Sequence, residues 1–102
     1  MKLTDVLAKI LKKNSINQIF GLQGGAVVHI FDSIEKHKLK VTYMNHEQSA
    51  ALAATANAKI NENIGCAVVT TGPASTNAIT GLLSAWQDSI PVIFISGQAR
   101  SN

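Results

Sequence analysis

The sequence contains few charged residues, which make up 15% of its 102 positions, whereas apolar residues make up 46%. This composition excludes a disordered tail, because disordered chains are rich in charge and poor in apolar side chains. The length has room for one compact domain or for part of a larger one. With so little charge, part of the folded surface should stay apolar, which favours contact with a partner subunit or domain.

Cysteine and long apolar runs are also scarce. Cys66 is the only cysteine, so the chain cannot form an internal disulfide, and we expect a reducing compartment. The N-terminal segment is interrupted by Asp5 and Lys9, unlike the unbroken apolar core of a signal peptide. No run approaches the roughly 20 apolar residues that a membrane helix needs. These features predict a cytoplasmic protein that does not contact a membrane.

The net charge of +3 is not concentrated in one place. The lysines are spread over predicted helix ends and loops, without an arginine cluster or interleaved aromatic residues. Nucleic-acid binding is therefore not expected.

The apolar pattern predicts strands that alternate with helices, which is typical of a parallel sheet with right-handed crossovers. We predict a three-layer α/β/α domain, with Thr4 capping the first helix. Because the chain stops soon after a buried strand, we expect residues 1–102 to be one incomplete domain, truncated at its C-terminus. The predicted helices are 4–13, 26–37, 48–61 and 75–87, and the predicted strands are 16–22, 40–44, 65–70 and 91–96.

Three predicted loops with unusual residues leave the carboxyl ends of strands and should meet at one edge of the sheet. Gly24-Gly25 could let a backbone approach a ligand, or could simply form a tight turn. Glu47 could begin a helix as an acidic residue, or could handle a proton in a cleft. The histidines lack the spacing of a metal site, so none is predicted. The third loop is Thr71 to Asn77.

Together these loops resemble a known family. The order GLQGGAV, NHEQSA, TTGPASTN and DSIPVIFISGQ is similar to the N-terminal pyrimidine-binding module of thiamine-diphosphate enzymes, and most similar to the acetolactate synthase branch. The resemblance extends over nearly the whole chain. It implies decarboxylation of a 2-oxo acid such as pyruvate, followed by carboligation. A simple 2-oxo-acid decarboxylase, or a non-catalytic module that pairs with a complete subunit, remains an alternative.

The resemblance also implies roles for individual residues. The family glutamate at the position of Glu47 hydrogen-bonds a pyrimidine nitrogen and favours the cofactor tautomer that removes the thiazolium C2 proton. Gly24 and Gly25 match glycines that line the cofactor pocket. Pro73 and Asn77 match positions that contact the pyrimidine end of the cofactor. Glu47 is therefore the predicted catalytic residue, and all five are predicted cofactor-binding residues.

Some family features differ or lie outside these residues. The usual Tyr-Pro before the glycine pair is Leu22-Gln23 here, which leaves the substrate preference open. In the family a C-terminal module holds the diphosphate through Mg²⁺, with a Gly-Asp-Gly motif that this sequence lacks. We therefore expect the 102 residues to be inactive alone and to need that missing domain.

We also expect self-association. The alanine face formed by Ala50, Ala51, Ala53 and Ala54, together with Trp86, is interpreted as part of a subunit interface. The sequence therefore predicts a homodimer or a higher homo-oligomer in the full-length protein.

Overall fold

The computed structural model describes residues 1–101. Within that range four parallel strands form one sheet in the order β2-β1-β3-β4, with helices between them. The predicted α/β class is confirmed. The helices are α1 (Leu3–Lys13), α2 (Val28–Lys36), α3 (Glu47–Asn61), α4 (Pro73–Asn77) and α5 (Ile79–Gln87), and the strands are β1 (Gln18–Gly21), β2 (Lys40–Tyr43), β3 (Gly65–Val69) and β4 (Val92–Ser96).

The sheet separates two apolar cores. The larger core lies under α1 and α2 and includes Leu11, Phe31 and Val68, whereas the smaller core lies under α3 and α5 and includes Ala51 and Val69. Val68 and Val69 fall into different cores because successive strand residues point to opposite faces of a sheet. Every residue of β3 is buried, as expected for a central parallel strand covered on both faces.

The first helix does not begin as predicted. It starts at Leu3, and its N-cap residue is Lys2 rather than Thr4. The Asp5 side chain accepts a hydrogen bond from the Lys2 backbone N–H (3.2 Å), which satisfies one of the free donors near this end. Thr4 pairs with the Ser33 hydroxyl (2.7 Å) instead, so it joins α1 to α2.

The predicted helix 75–87 is two helices, α4 and α5, separated at Ala78. Pro73 occupies the first turn of α4, where the missing N–H of proline costs nothing, so the helix begins earlier than predicted. At Ala78 ψ is −12°, and its N–H donates to the carbonyl of Ser75 (3.1 Å). Such an i−3 hydrogen bond tightens the backbone relative to an α-helix and separates the two segments.

The alanine face of α3 is covered within the chain. Ala50, Ala51 and Ala54 are fully buried, and a Cβ on Gly81 would lie 2.3 Å from the Cβ of Ala51. These small residues therefore allow α3 and α5 to pack closely, and the prediction of a subunit interface is wrong for Ala50, Ala51 and Ala54. Ala53, the fourth residue of the predicted face, is half-buried. Trp86 is 80% exposed, which excludes a core role within this chain.

Candidate functional site

The site is defined by the sheet topology. The connection from β1 passes through α2 and leads to β2, whereas the connection from β3 passes through α4 and α5 and leads to β4 on the other side. Because β1 and β3 are neighbours whose connections diverge, a crevice opens at their carboxyl ends. Two of the three predicted loops leave these strands. The third leaves β2 at the same edge.

The glycine pair follows β1 and faces the end of β3. A Cβ on Gly24 would lie 2.4 Å from the Cβ of Thr70, so only glycine fits this position. The Thr70 hydroxyl also accepts a hydrogen bond from the N–H of Ala26 (3.3 Å). Among the described residues, no heavy atom beyond its chain neighbours lies within 4 Å of a Cβ built on Gly25. The backbone at Gly25 is therefore open to a ligand.

Glu47 is the first residue of α3 and lies half-buried at the carboxyl edge. Its Oε2 accepts a hydrogen bond from Nδ2 of Asn77, at the end of α4 (3.1 Å). The structure thus brings together two of the predicted site residues that are thirty positions apart. His46, beside Glu47, is the N-cap of α3, and its Nδ1 accepts from the N–H of Gln48 (3.0 Å). His46 therefore has a structural role at this helix end.

Pro73 begins α4 directly after Gly72, whose φ of +71° suits a residue without a side chain. The Ser75 hydroxyl donates to the Thr70 carbonyl (2.8 Å) and is also paired with the Ser96 hydroxyl at the end of β4. These bonds hold α4, and with it Asn77, against the ends of β3 and β4. The glycine pair is connected to Glu47 and Asn77 through Thr70 and α4.

Two residues of the site escaped the sequence prediction. Thr70 is the contact for both Gly24 and α4, and Tyr43 accepts a hydrogen bond from Gln23 (3.1 Å). The sequence feature that could have indicated Thr70 is its position as the first polar residue after a fully apolar strand. Tyr43 offered only an aromatic side chain at the end of β2.

The arrangement can bind a ligand and exchange a proton with it. A doubly wound domain with an open glycine loop and a carboxylate at its carboxyl edge is typical of proteins that bind a cofactor or substrate there.

The family comparison also indicates a cofactor-binding domain. Residues 1–102 match the family described as "Thiamine pyrophosphate enzyme, N-terminal TPP binding domain". The chain belongs to this family, so the resemblance noted from the motifs is confirmed.

The relatives include large subunits of acetolactate synthases. The chain is 39% identical over 99 residues to an acetolactate synthase large subunit of Haemophilus influenzae, which covers 96% of the chain and 17% of that protein. It is 44% identical over 96 residues to an acetolactate synthase large subunit of Cyanidium caldarium, covering 90% and 16%. It is 40% identical over 91 residues to the isozyme 2 large subunit of Escherichia coli, covering 89% and 17%. The chain thus spans about a sixth of the length of these curated relatives.

Residues 1–101 contain neither a candidate membrane-spanning helix nor a candidate metal cluster. No helix in this part of the chain is long and apolar enough to cross a membrane. No group of three or more His, Cys, Asp or Glu side chains within the same range could hold a metal ion.

Proposed function

We propose that this chain forms the pyrimidine-binding part of a thiamine-diphosphate site in an acetolactate synthase-like enzyme. The observation that carries the proposal is the Glu47–Asn77 pair, which lies at the same carboxyl edge of the sheet as the open glycine loop, in a domain whose family is described as binding this cofactor. When bound, the cofactor supplies the electron sink for decarboxylation of a 2-oxo acid. The chain supplies position and a proton-handling group.

Glu47 is the proposed catalytic residue. Its carboxyl group can share a proton with a pyrimidine ring nitrogen, which is a task suited to a positioned acid–base side chain. Asn77 donates to Oε2 of Glu47, so it fixes the direction of the carboxyl group and leaves Oε1 for the ligand. The half-buried position of Glu47 at the start of α3 is compatible with both roles considered from the sequence.

The backbone of the site is the second proposed contribution. Gly24 and Gly25 give the cofactor a surface without side chains, and Gly24 is locked against Thr70. Pro73 starts the short helix that carries Asn77 and lines the same side of the crevice. A carboxyl group and backbone without side chains suit an aromatic ring with ring nitrogens, which supports thiamine diphosphate as the ligand.

The remaining parts of the enzyme are proposals that rest on the relatives. Since the chain matches about a sixth of their length, we place the Mg²⁺-dependent diphosphate site on a separate C-terminal domain. Residues 1–102 alone are then one incomplete domain without turnover. The relatives' names favour a synthase over a simple decarboxylase. The proposed substrate is pyruvate or a similar 2-oxo acid.

The test is Glu47→Gln in the complete protein that carries this chain. Glutamine keeps the size and can still hydrogen-bond, but it cannot exchange a proton or provide a negative charge. Exchange of the cofactor C2 hydrogen with deuterium should slow by roughly 10²- to 10⁴-fold, the range for loss of a positioned acid–base group. Cofactor affinity should change only modestly, because the diphosphate is bound elsewhere.

Glu62→Gln is the matched control, since Glu62 is an exposed glutamate at the other end of the same helix. It should exchange the C2 hydrogen at the parent rate. If Glu47→Gln also exchanges at the parent rate, Glu47 is only a helix-starting acid and the proposed role is wrong. A parent protein that binds no thiamine diphosphate in the presence of Mg²⁺ would reject the function as a whole.

A further inference from the structure

Tyr43, the last residue of β2, connects three other parts of the chain. Its hydroxyl accepts a hydrogen bond from Nε2 of Gln23 (3.1 Å) and donates to Oε1 of Glu35 on α2. Its ring contacts the ring of Phe31, with the centroids 5.2 Å apart and the planes tilted by 53°. Such a tilted arrangement is favourable for aromatic pairs. Phe31 therefore holds the ring of Tyr43, and Gln23 and Glu35 hold its hydroxyl group.

Phe31 extends this support to the end of β1. It is fully buried, and a Cβ on Gly21 would lie 2.7 Å from its Cζ. The ring that holds Tyr43 thus lies directly under the residue from which the glycine loop departs. Gln23, bound by Tyr43, comes immediately before Gly24 in that loop.

The loop needs such external support because glycine has more backbone freedom than any other residue. Thr70 fixes one side through its contact with Gly24 and its bond to the N–H of Ala26. Gln23 is the last side chain before the glycine pair, and Tyr43 holds it from the opposite neighbouring strand. The loop is thus held between β3 and β2.

We propose that Tyr43 is a positioning residue that fixes the Gly24-Gly25 loop through Gln23 and so sets the affinity of the site for its cofactor. The cofactor part of this inference rests on the function proposed above. Burial, followed by the hydrogen bond to Glu35, raises the pKa of Tyr43 above its ordinary value of 10.0. The hydroxyl therefore stays protonated at neutral pH and can accept from Gln23 while donating to Glu35.

The test uses two variants and a matched control. Tyr43→Phe keeps the ring on Phe31 and removes both hydroxyl bonds, and Gln23→Ala removes the link to the loop. The control is Gln18→Ala, which removes an amide–hydroxyl bond to Thr42 (3.0 Å) between the same two strands, at the start of β1 and away from the loop. Each is made in the complete protein.

In the complete protein, Tyr43→Phe and Gln23→Ala should each raise the dissociation constant of thiamine diphosphate roughly three- to ten-fold, as expected for loss of the hydrogen bond between Gln23 and Tyr43 that both variants remove. The value of kcat at saturating cofactor should stay within about two-fold, because the loop affects binding and not the proton transfer. The double variant should be no worse than Tyr43→Phe alone, since both substitutions remove the bond between Gln23 and Tyr43. Gln18→Ala should keep the parent affinity.

Amide hydrogen exchange in the cofactor-free complete protein gives a second readout. The N–H groups of Ala26 and Val27, which donate to Thr70 Oγ1 and to the Gly24 carbonyl, should exchange faster in Tyr43→Phe and Gln23→Ala than in the parent or in Gln18→Ala. Parent-like exchange in both loop variants would overturn the positioning role, as would an equal loss of cofactor affinity in Gln18→Ala. If the complete parent protein binds no cofactor, the proposed function is wrong, and the exchange rates still decide whether Tyr43 holds the loop.

Discussion

At the scale of single residues, His46 stabilises the start of α3 through its own side chain. Its Nδ1 accepts the N–H of Gln48, one of the backbone donors that a helix start leaves free. His46→Ala should lower the free energy of unfolding by about 1 kcal/mol, the usual cost of losing an N-cap side chain. His46→Asn should keep most of the stability, because asparagine is a preferred cap. Urea denaturation of the three proteins measures the difference.

The same variants separate His46 from the chemistry. In the complete protein, C2 hydrogen exchange of the bound cofactor should stay near the parent rate for His46→Asn, because asparagine keeps the helix cap and with it the position of Glu47. A loss as large as that expected for Glu47→Gln would instead make His46 part of the proton transfer.

The individual site residues differ in how far the sequence could predict them. Glu47 and Asn77 were found because their motifs resemble those of a family. In the structure Nδ2 of Asn77 lies 3.1 Å from Oε2 of Glu47. Thr70 was missed because its contact with Gly24 depends on β3 lying next to β1, which local sequence patterns do not specify. The bond between Gln23 and Tyr43 depends in the same way on the order of the strands.

At the scale of helices, several C-terminal ends carry a strained residue. The residues just after α1, α2, α3 and α5 include four non-glycine positions with φ between 50° and 61°. Left-handed backbone at this point is common, but glycine adopts it without the steric cost that a Cβ adds. The four positions are Ser15, Lys38, Glu62 and Ser89.

Lys38→Gly should therefore stabilise the protein. Lys38 is exposed, its φ is 60°, and the only hydrogen bond recorded for it within residues 1–101 uses its backbone N–H, which glycine keeps. The free energy of unfolding should rise by about 0.5–1 kcal/mol. Glycine removes the steric cost of left-handed backbone, and part of that gain is lost because glycine makes the unfolded chain more flexible. Lys59→Gly, in an exposed position inside α3, should lower it by about 1 kcal/mol. Equal losses in both variants would contradict this account of Lys38.

The junction of α1 and α2 should respond to acid. The backbone N–H of Lys2, then the Ser33 hydroxyl and the charge of Lys36, hold the pKa of Asp5 below its ordinary value of 3.8, against the opposing effect of burial. His37 Nε2 lies 3.3 Å from the other carboxylate oxygen. Because the folded-state pKa is lowered, the contribution of Asp5 is present above about pH 4 and is lost as the pH falls through the folded value.

Asp5→Asn tests this pH dependence. The variant should be less stable than the parent near neutral pH, and the difference should shrink as the pH falls below about 4. Urea denaturation between pH 2.5 and 7 would measure both curves, with Asp88→Asn, an exposed aspartate at the C-cap of α5, as the control. A difference that stays constant down to the lowest pH would show that Asp5 acts through packing instead of charge.

The helices also show what sequence patterns could and could not predict. Apolar periodicity correctly predicted the alternation of strands and helices. The break at Ala78 was missed because both sides carry helical periodicity, and the interruption comes from a backbone angle that no side chain signals. Thr4 was chosen as a cap by residue type, yet its hydroxyl is bound to Ser33 across a sequence separation of 29.

At the scale of the whole molecule, one side of the chain keeps a large apolar surface. On α5, Leu82, Leu83 and Trp86 are 45%, 50% and 80% exposed, and Ile79 lies on the same helix at 55%. Contiguous apolar surface of this kind is typical of contact sites between proteins. We therefore expect the predicted homodimer to use α5, because most of the alanine face of α3 is buried inside the chain.

Replacing Trp86 with lysine should weaken self-association of the complete protein. A lysine at Trp86 would place a charge in an interface that excludes water, which is costly. Because Trp86 is exposed in this chain, its replacement should leave the fold intact. Light scattering over a dilution series should give a dimer or larger assembly for the parent and a dissociation constant at least about ten-fold higher for Trp86→Lys. Ile10→Lys is the control, because Ile10 is 52% exposed on α1, which packs with α2 over the other core. A parent protein that stays monomeric with cofactor bound would reject the homodimer, and equal weakening by both variants would reject α5 as its interface.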